Sequence, residues 1–298
     1  MNLAPKHCTL CPRQCHADRT KHPGFCGAPD TVRIARAALH HWEEPCISGT
    51  NGSGTIFFSG CPLRCCYCQN YRISAESFGK DISTQRLAEI FLELQAQGAH
   101  NINLVTAAPY VPWILAARQQ AGEALHIPFV YNTSGYETAE TLTLLSEIVD
   151  IWLTDLKYVS SELSGQYSHA PDYFPVAFSA LRQMCRLAGK PQLDDNGIMR
   201  RGVIVRHLLL PGCLSDTFEV LDRLAELSKE APFLLSLMSQ YTPFHKVKEH
   251  RALSRRISTY EYRKAVDYAL ELGLDSGFMQ EKSSAKEEYT PPFDLYGV

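Results

Sequence analysis

The sequence lacks long apolar runs and a strong excess of charge of either sign. No hydrophobic stretch approaches the roughly 18 residues that a membrane span requires, and no apolar segment follows Met1. We therefore expect neither a membrane-spanning helix nor a signal peptide. The formal net charge is only −3, which argues against nucleic acid or an anionic membrane as a partner. A hydrophobic content of 45% with 20% charged residues is typical of a globular protein.

Cysteine becomes scarce after residue 68, where only Cys185 and Cys213 occur. The other nine of the 11 cysteines lie in the first 68 residues, so metal chemistry is predicted to be confined to the first quarter of the chain. Disulfides are rare in reducing compartments, and this many cysteines without an export signal indicate free thiols and bound metal. The sequence thus predicts a cytoplasmic protein. Cys46 stands apart from both cysteine groups, and we interpret it as a packed thiol.

The second cysteine group has the spacing C-x3-C-x2-C, formed by Cys61, Cys65 and Cys68, with Tyr67 just before the last cysteine. Iron–sulfur cubes are normally held by four thiolates. Three thiolates from one loop leave one iron open, as a metal that performs chemistry requires. Structural zinc is the alternative, but it needs a fourth nearby ligand, and Cys66 is poorly placed for this beside Cys65. The spacing therefore favours a [4Fe-4S] cluster with an open iron.

The first cysteine group has the spacing C-x2-C-x3-C-x10-C and consists of Cys8, Cys11, Cys15 and Cys26. Four thiolates so close in sequence predict a second metal site. Tetrahedral zinc and a closed iron–sulfur cluster fit this set equally, so both remain open. The metal would either relay electrons or stabilise a segment that is too short to fold alone.

From Gly54 onward, short β-rich runs alternate with helical patterns, as in βα units that form a parallel sheet. The pattern predicts strands at residues 55–58, 101–105, 128–131, 150–156, 203–210 and 233–238. Helices are predicted at residues 83–97, 111–121, 137–146, 159–167 and 173–189, from Asp216 with a capping box to Glu219, and from Thr259. The predicted fold class is α/β. It comprises a partial (βα)6 barrel (51–280), a small cysteine-rich N-terminal cap (1–50) and an extended C-terminal tail (281–298).

Polar side chains lie near the ends of four predicted strands, where active-site groups of such sheets are found. They are Asn132 after the third strand, Asp155 and Lys157 at the end of the fourth, Arg206 in the fifth and His245 after the sixth. An arginine within an apolar strand must find an anionic partner, because burying it unpaired is costly. We therefore expect these residues, together with Tyr67 of the cysteine loop, to contact a cofactor.

The cysteine loop and Tyr67 resemble the signature of the radical S-adenosylmethionine (radical SAM) enzymes. The resemblance implies that the amino and carboxylate groups of SAM bind the open iron. It further implies that an electron from the cluster splits SAM into methionine and a 5′-deoxyadenosyl radical, which abstracts hydrogen. A protein such as flavodoxin or ferredoxin would supply the electron. The sequence departs from the family at residues 106–109, Thr-Ala-Ala-Pro, where Gly-Gly-Glu is common.

Further segments resemble the activating enzymes of pyruvate formate-lyase and other glycyl radical enzymes. They are Asp155-Leu156-Lys157, Arg206 with Pro211-Gly212, and residues 241–245; residues 8–15 and 42–49 also fit the branch of pyruvate formate-lyase activating-enzyme-like proteins. The resemblance implies that Lys157, Arg206 and His245 lie on or near SAM. It also implies a monovalent cation near Asp155 and Asn132, although the activases tend to have aspartate where Asn132 stands.

The sequence therefore predicts a radical SAM enzyme that activates a glycyl-radical-type protein partner. Radical SAM modification of a small molecule or peptide is the alternative within enzymes. A zinc or iron–sulfur binding module without turnover is the alternative from another class. No residue identifies the substrate, and no side chain is assigned a catalytic role.

Overall fold

The computed structural model describes residues 3–244, 247, 249–279 and 291–298. The strands within these ranges are β1 (Val32–His40), β2 (Ser53–Phe58), β3 (Lys80–Ile82), β4 (Ile102–Val105), β5 (Phe129–Thr133), β6 (Ile151–Asp155), β7 (Gln192–Leu193), β8 (Met199–Leu208), β9 (Leu234–Met238) and β10 (Gly277–Met279). The α-helices are α1 (Pro45–Ser48), α2 (Tyr71–Ser74), α3 (Thr84–Ala96), α4 (Val111–Ala121), α5 (Ala139–Leu145), α6 (Ser161–Ser168), α7 (Tyr173–Ala188), α8 (Leu214–Ser228) and α9 (Thr259–Glu271). None of these described helices is both long enough and apolar enough to span a membrane.

The sheet has the strand order β10-β9-β8-β6-β5-β4-β2-β1-β3, and β7 pairs with β8. The six strands that the sequence predicts are β2, β4, β5, β6, β8 and β9, and each is parallel to the next. This confirms the α/β fold class and the partial (βα)6 barrel. Because the strands are parallel, their carboxyl ends meet at one edge of the sheet, which is where such folds place their sites.

The edge of the sheet beside β2 is built from segments that the sequence did not predict as strands. β1 pairs antiparallel with β2 and with β3, although its residues fall within the predicted cap. The C-terminal segment 291–298 lies along β1, where Leu295 N donates to Ala35 O (3.0 Å) and Ala37 N donates to Tyr296 O (2.9 Å). Phe293 of this segment packs against Phe57 at the end of β2.

Side chains on the two faces of the sheet alternate between two apolar clusters, as the period of a β-strand requires. One face packs against the surrounding helices, as Phe91 of α3 does against Phe129. On the other face, Val130, Ile151 and Ile204 pack around Ile47 of α1. Asn101, just before β4, donates to Ile47 O (2.8 Å), so α1 fills the barrel interior at the end where the strands begin.

One predicted helix start is wrong. α8 begins at Leu214, and Asp216 does not form a capping box with Glu219. The Asp216 carboxylate instead accepts hydrogen bonds from Val159 N (3.1 Å) and Ser160 N (2.7 Å), just before α6. The capping pattern is local, whereas the observed role of Asp216 depends on a contact that is distant in sequence.

Candidate active site

The cysteine loop follows β2 at the edge where the parallel strands end. Cys61 and Cys65 are buried and Cys68 is half-buried, and all three line one cavity of about 230 Å³. Cys66 lines a separate surface pocket. The structure thus separates the three predicted ligands from the adjacent spare thiol.

Each of the three thiols accepts a hydrogen bond, and the donors come from three different parts of the chain. Ser168 Oγ donates to Cys65 Sγ (2.9 Å) and Ser74 Oγ donates to Cys68 Sγ (3.3 Å). The Cys61 sulfur accepts a longer contact of 3.5 Å from the backbone N–H of Leu63. Hydrogen bonds to ligand sulfurs are characteristic of iron–sulfur sites, where they orient the ligands and tune the cluster.

Burial raises the pKa of the Cys61 thiol to about 12 and that of the Cys68 thiol to about 11. The thiols are therefore protonated without metal, and a bound metal would have to displace those protons. No group of three or more His, Cys, Asp or Glu side chains in the described ranges is arranged to hold a single metal ion. A cubane does not need that arrangement, because each thiolate binds a different iron. The donor set and its hydrogen bonds fit a [4Fe-4S] cluster with three protein ligands.

Tyr67 begins a buried chain of hydroxyl groups that ends at a cysteine. Its hydroxyl lies 2.6 Å from the Tyr158 hydroxyl, which lies 2.9 Å from Ser168 Oγ. Ser168 in turn donates to the Cys65 sulfur. The Tyr67 ring lines the cavity while its hydroxyl is engaged with Tyr158.

The structure brings five of the six residues that are predicted to contact a cofactor to the same cavity as the cysteines. These residues are Tyr67 in the loop, Asn132 from β5, Asp155 and Lys157 at the end of β6, and Arg206 from β8. The predicted His245 lies outside the described residues. The cavity therefore combines a cysteine set with polar and charged groups from three neighbouring strands.

The charged groups of the cavity form one buried network. Asp155 accepts from Arg206 Nε (2.9 Å) and from Lys157 Nζ (2.6 Å). Burial favours the neutral acid, but Lys157 and Arg206 outweigh it and lower the pKa of Asp155 below its ordinary value. Burial alone would lower the pKa of Lys157, whereas the charge of Asp155 raises it above its ordinary value. The network therefore keeps both side chains charged although little of either is exposed.

Arg206 also contacts Asn132, which is predicted to lie near a monovalent cation. Its guanidinium donates to Asn132 Oδ1 at 2.5 Å while it pairs with Asp155. The guanidinium thus places a positive charge between Asn132 and Asp155, the two residues that the resemblance implies lie near a monovalent cation. A separate cation at this position stays a prediction.

Glu43 is a site residue that the sequence analysis missed. It precedes α1, lines the cavity and pairs with Arg206 NH1 at 3.3 Å. Its other oxygen accepts from the side-chain amides of Asn103 and Asn132, each at 3.1 Å. Burial raises the pKa of Glu43 above its ordinary value. The one signal in the sequence is a pair of adjacent acids before a proline, which by itself indicates only a helix start.

Thr106 replaces the usual glycine at the end of β4 and has an unusual backbone. Its φ of +60° lies in the left-handed region, which β-branched residues rarely adopt. The residue lines the cavity, and its N–H donates to Asn132 O (3.0 Å). Strained backbone of this kind concentrates at functional sites, where it orients polar groups.

The first cysteine group lies directly against the cysteine loop. Cys8 and Cys26 are buried, Cys11 is half-buried and Cys15 is exposed. The backbone N–H of Cys61 donates to the carbonyl of Cys26 at 3.2 Å. The two predicted metal sites are therefore neighbours in the structure.

Residues 55–173 match the family model of the Radical SAM superfamily. An uncharacterized protein of Methanocaldococcus jannaschii is 28% identical over 280 residues, which cover 91% of this chain and 76% of that protein. A domain of a pyruvate-formate lyase-activating enzyme from Bacteroides vulgatus gives a TM-score of 0.39 at 16% identity, over 56% of this chain and 88% of that one. Methylornithine synthase gives 0.47 at 15% identity, over 76% of this chain and 60% of that one. The cysteine loop and the ends of β2, β4, β5 and β6 lie within the residues that match the Radical SAM superfamily model.

Proposed function

We propose that this protein reductively cleaves S-adenosylmethionine and abstracts a hydrogen atom with the resulting 5′-deoxyadenosyl radical. One observation carries the proposal: Cys61, Cys65 and Cys68 line the same cavity as the paired side chains of Asp155 and Arg206. A static metal site has no use for such a set of charged groups. The alternative of a binding module without turnover is therefore less well supported than an enzyme.

Different residues of the cavity would bind the metal cluster and the SAM cofactor. Cys61, Cys65 and Cys68 would hold three irons of a [4Fe-4S] cluster, which supplies the electron that breaks a carbon–sulfur bond of SAM. Lys157 has three N–H donors, and its ammonium group can bind the SAM carboxylate while it stays paired with Asp155. Asp155 holds Lys157 in the charged form that this contact requires.

For the substrate, we propose a glycyl-radical-type protein partner, with flavodoxin or ferredoxin as the external electron donor. The support is the resemblance of Asp155-Leu156-Lys157, Arg206 and Pro211-Gly212 to the activases. A small molecule or peptide remains the second candidate, and one observation favours it. Pro291 of the C-terminal segment lines the cavity, so this segment borders the space that a protein loop would have to enter. All eleven cysteines are free, which supports a reducing compartment such as the cytoplasm.

The test is anaerobic reconstitution with iron and sulfide, followed by SAM and dithionite. The parent protein should release 5′-deoxyadenosine, and Cys65→Ala should not, because two thiolates cannot hold the cube. Cys66→Ala is the matched control from the same loop and should retain release. Equal release from Cys65→Ala and the parent would refute the proposed chemistry.

The substrate is tested separately with a purified glycyl radical enzyme labelled with deuterated glycine. Transfer of deuterium into 5′-deoxyadenosine, with a glycyl radical signal in electron paramagnetic resonance, is the expected result. Release of 5′-deoxyadenosine without deuterium would favour the small-molecule or peptide alternative.

A further inference from the structure

The part of the N-terminal cap that carries the four cysteines, residues 3–31, has no regular secondary structure. Single backbone hydrogen bonds hold these residues in turns. Cys8 N donates to Ala17 O (3.1 Å), and His16 N donates back to Cys8 O (3.0 Å). A segment of this kind buries too little apolar surface to fold alone, and a bound metal commonly supplies the missing free energy.

The four cap cysteines converge on one region. Cys15 and Cys26 flank Gly24, because a Cβ atom at that glycine would lie 3.1 Å from Cys15 Sγ and 3.9 Å from Cys26 Sγ. The thiol of Cys11 interacts electrostatically with Cys26 and Cys8, and that of Cys26 interacts with Cys8 and Cys15. All four sulfurs therefore lie within electrostatic range of another member of the set. As in the cysteine loop, no three of them are arranged around a single metal ion.

A buried carboxyl group borders this set on the barrel side. Glu137 accepts hydrogen bonds from Tyr131 (3.1 Å) and Thr133, while its Oε2 has no hydrogen-bond partner among the described residues. Glu137 is close enough to Cys11 to interact with it electrostatically. A buried polar atom without a partner is costly. An O–H on this oxygen could donate to a metal-bound sulfur, as second-shell groups of metal sites do.

The cap contacts the cysteine loop on two sides. The Cys26 carbonyl accepts from Cys61 N (3.2 Å), and Gly60 approaches so closely that a Cβ there would lie 2.8 Å from Cys26 O. Arg13 donates to Pro62 O (2.8 Å) and to Ser168 O (3.2 Å). Since Ser168 also donates to a loop sulfur, the cap is connected to the loop through both backbone and side chains.

We propose that Cys8, Cys11, Cys15 and Cys26 bind an iron–sulfur cluster that passes electrons to the site of the cysteine loop. Cys15 is exposed whereas Cys26 is buried against Cys61, so the set extends from solvent to the loop. An electron relay needs this placement, and a purely structural site does not. Zinc has no redox chemistry and could not serve this role.

Electron transfer from the cap cluster to the loop cluster rests on the proposed function. It moves one electron at a time. A one-electron donor protein of the flavodoxin or ferredoxin class reduces the cap cluster and is itself oxidised. The cap cluster then gives that electron to the loop cluster and returns to its oxidised state. No covalent bond forms or breaks in this transfer, and the four cysteines lose their thiol protons once, when the metal binds.

Metal analysis of a loop variant tests the site. The full chain with Cys61→Ser, Cys65→Ser and Cys68→Ser is purified without oxygen, and iron, zinc and sulfide are measured. About four irons with matching sulfide should remain per chain, against about eight irons in the parent. About one zinc per chain, or no metal, would overturn the proposal. The metal content of this variant does not depend on SAM cleavage. A result against the cap cluster is therefore distinct from a result against the proposed function.

A cap variant tests the relay. Cys11→Ser with Cys26→Ser should lose about four irons and keep the other four. Its rate of 5′-deoxyadenosine release should fall far more with a reduced flavodoxin as donor than with dithionite, because dithionite is small enough to reach the loop cluster directly. Cys66→Ser is the matched control and should keep both metals. Equal losses with the two donors would overturn the relay, and the loop variant remains decisive for the site if the cap variant does not fold.

Discussion

Arg206 Nε lies 2.9 Å from Asp155 Oδ1, and the two residues face each other on neighbouring parallel strands. The same guanidinium reaches Glu43 from the segment before α1. One side chain thereby joins two strand ends to the segment that fills the barrel interior. Because all three side chains are at most 16% exposed, each is stable as a charge only while its partners are present.

Replacing Arg206 should therefore destabilise the protein. Arg206→Gln leaves the Glu43 carboxylate without its cation and leaves Asp155 with Lys157 alone, and the free energy of unfolding should fall by about 3–5 kcal/mol. Denaturant unfolding of the anaerobic protein measures the change. Arg206→Lys keeps the positive charge but loses the planar guanidinium with its several N–H donors. It should therefore lower the free energy of unfolding by less than Arg206→Gln does.

The double variant distinguishes ion pairing from lost packing. Adding Glu43→Gln to Arg206→Gln removes the carboxylate that has lost its cation, and it should restore part of the lost stability. Additive losses in the double variant would show that Glu43 and Arg206 are not energetically coupled.

Lys157 is expected to bind the cofactor. Lys157→Met should weaken SAM binding by about 1.5–3 kcal/mol, because one charge-assisted contact to the carboxylate is lost. Iron content should not change, since Lys157 is not a predicted metal ligand. Titration of SAM into the reconstituted protein gives the dissociation constant, and Lys190→Met on the surface is the matched control. Unchanged affinity in Lys157→Met would assign this residue a structural role alone.

The hydroxyl chain that ends at Cys65 should set the reduction potential of the loop cluster. Ser168→Ala removes the hydrogen bond to the Cys65 sulfur, which makes the sulfur more electron-rich and the potential more negative. Tyr67→Phe removes a hydroxyl further along the chain and should shift the potential less. A redox titration followed by electron paramagnetic resonance measures both variants, with iron content as the control for cluster assembly. The idea fails if the two variants keep the parent potential.

The sequence predicts the barrel well because its signals are local. The parallel strands read as apolar runs, and α3 shows the helical period of Leu87, Ile90, Phe91 and Leu94, all of which are buried. The cysteine loop is recognisable because its spacing is itself the chemical signal. By contrast, β1 alternates buried and half-buried positions irregularly, so neither strand nor helix period stands out.

The features that the sequence did not reveal depend on contacts between distant residues. Glu43 becomes buried only through Asn103, Asn132 and Arg206, none of which is near it in sequence. Ser168 reaches Cys65 across 103 residues of chain. A polar residue has no local pattern that distinguishes such a partner from an exposed position, and only the assembled fold identifies it.

The loop after β8 is held by Glu261 of α9, and this contact should make stability depend on pH. Glu261 accepts from Gly212 N (2.8 Å) and completes a capping box with Ser258. Hydrogen bonds from Arg255 in particular lower the pKa of Glu261 below its ordinary value of 4.5. A carboxyl group with a lowered pKa stabilises the fold above its ordinary value, and that stability is lost as the pH falls towards the pKa in the folded protein.

Glu261→Gln should therefore cost about 1–2 kcal/mol of unfolding free energy near neutral pH, in line with a lost cap and charged hydrogen bonds. The difference between parent and variant should shrink as the pH falls below 4.5, because the parent carboxylate then becomes protonated. Any acid-induced loss of metal affects both proteins alike, so the difference isolates this carboxylate. Glu271→Gln, at the exposed end of the same helix, is the control and should leave stability nearly unchanged. A difference that is constant with pH would show that Glu261 acts through its shape and not through its charge.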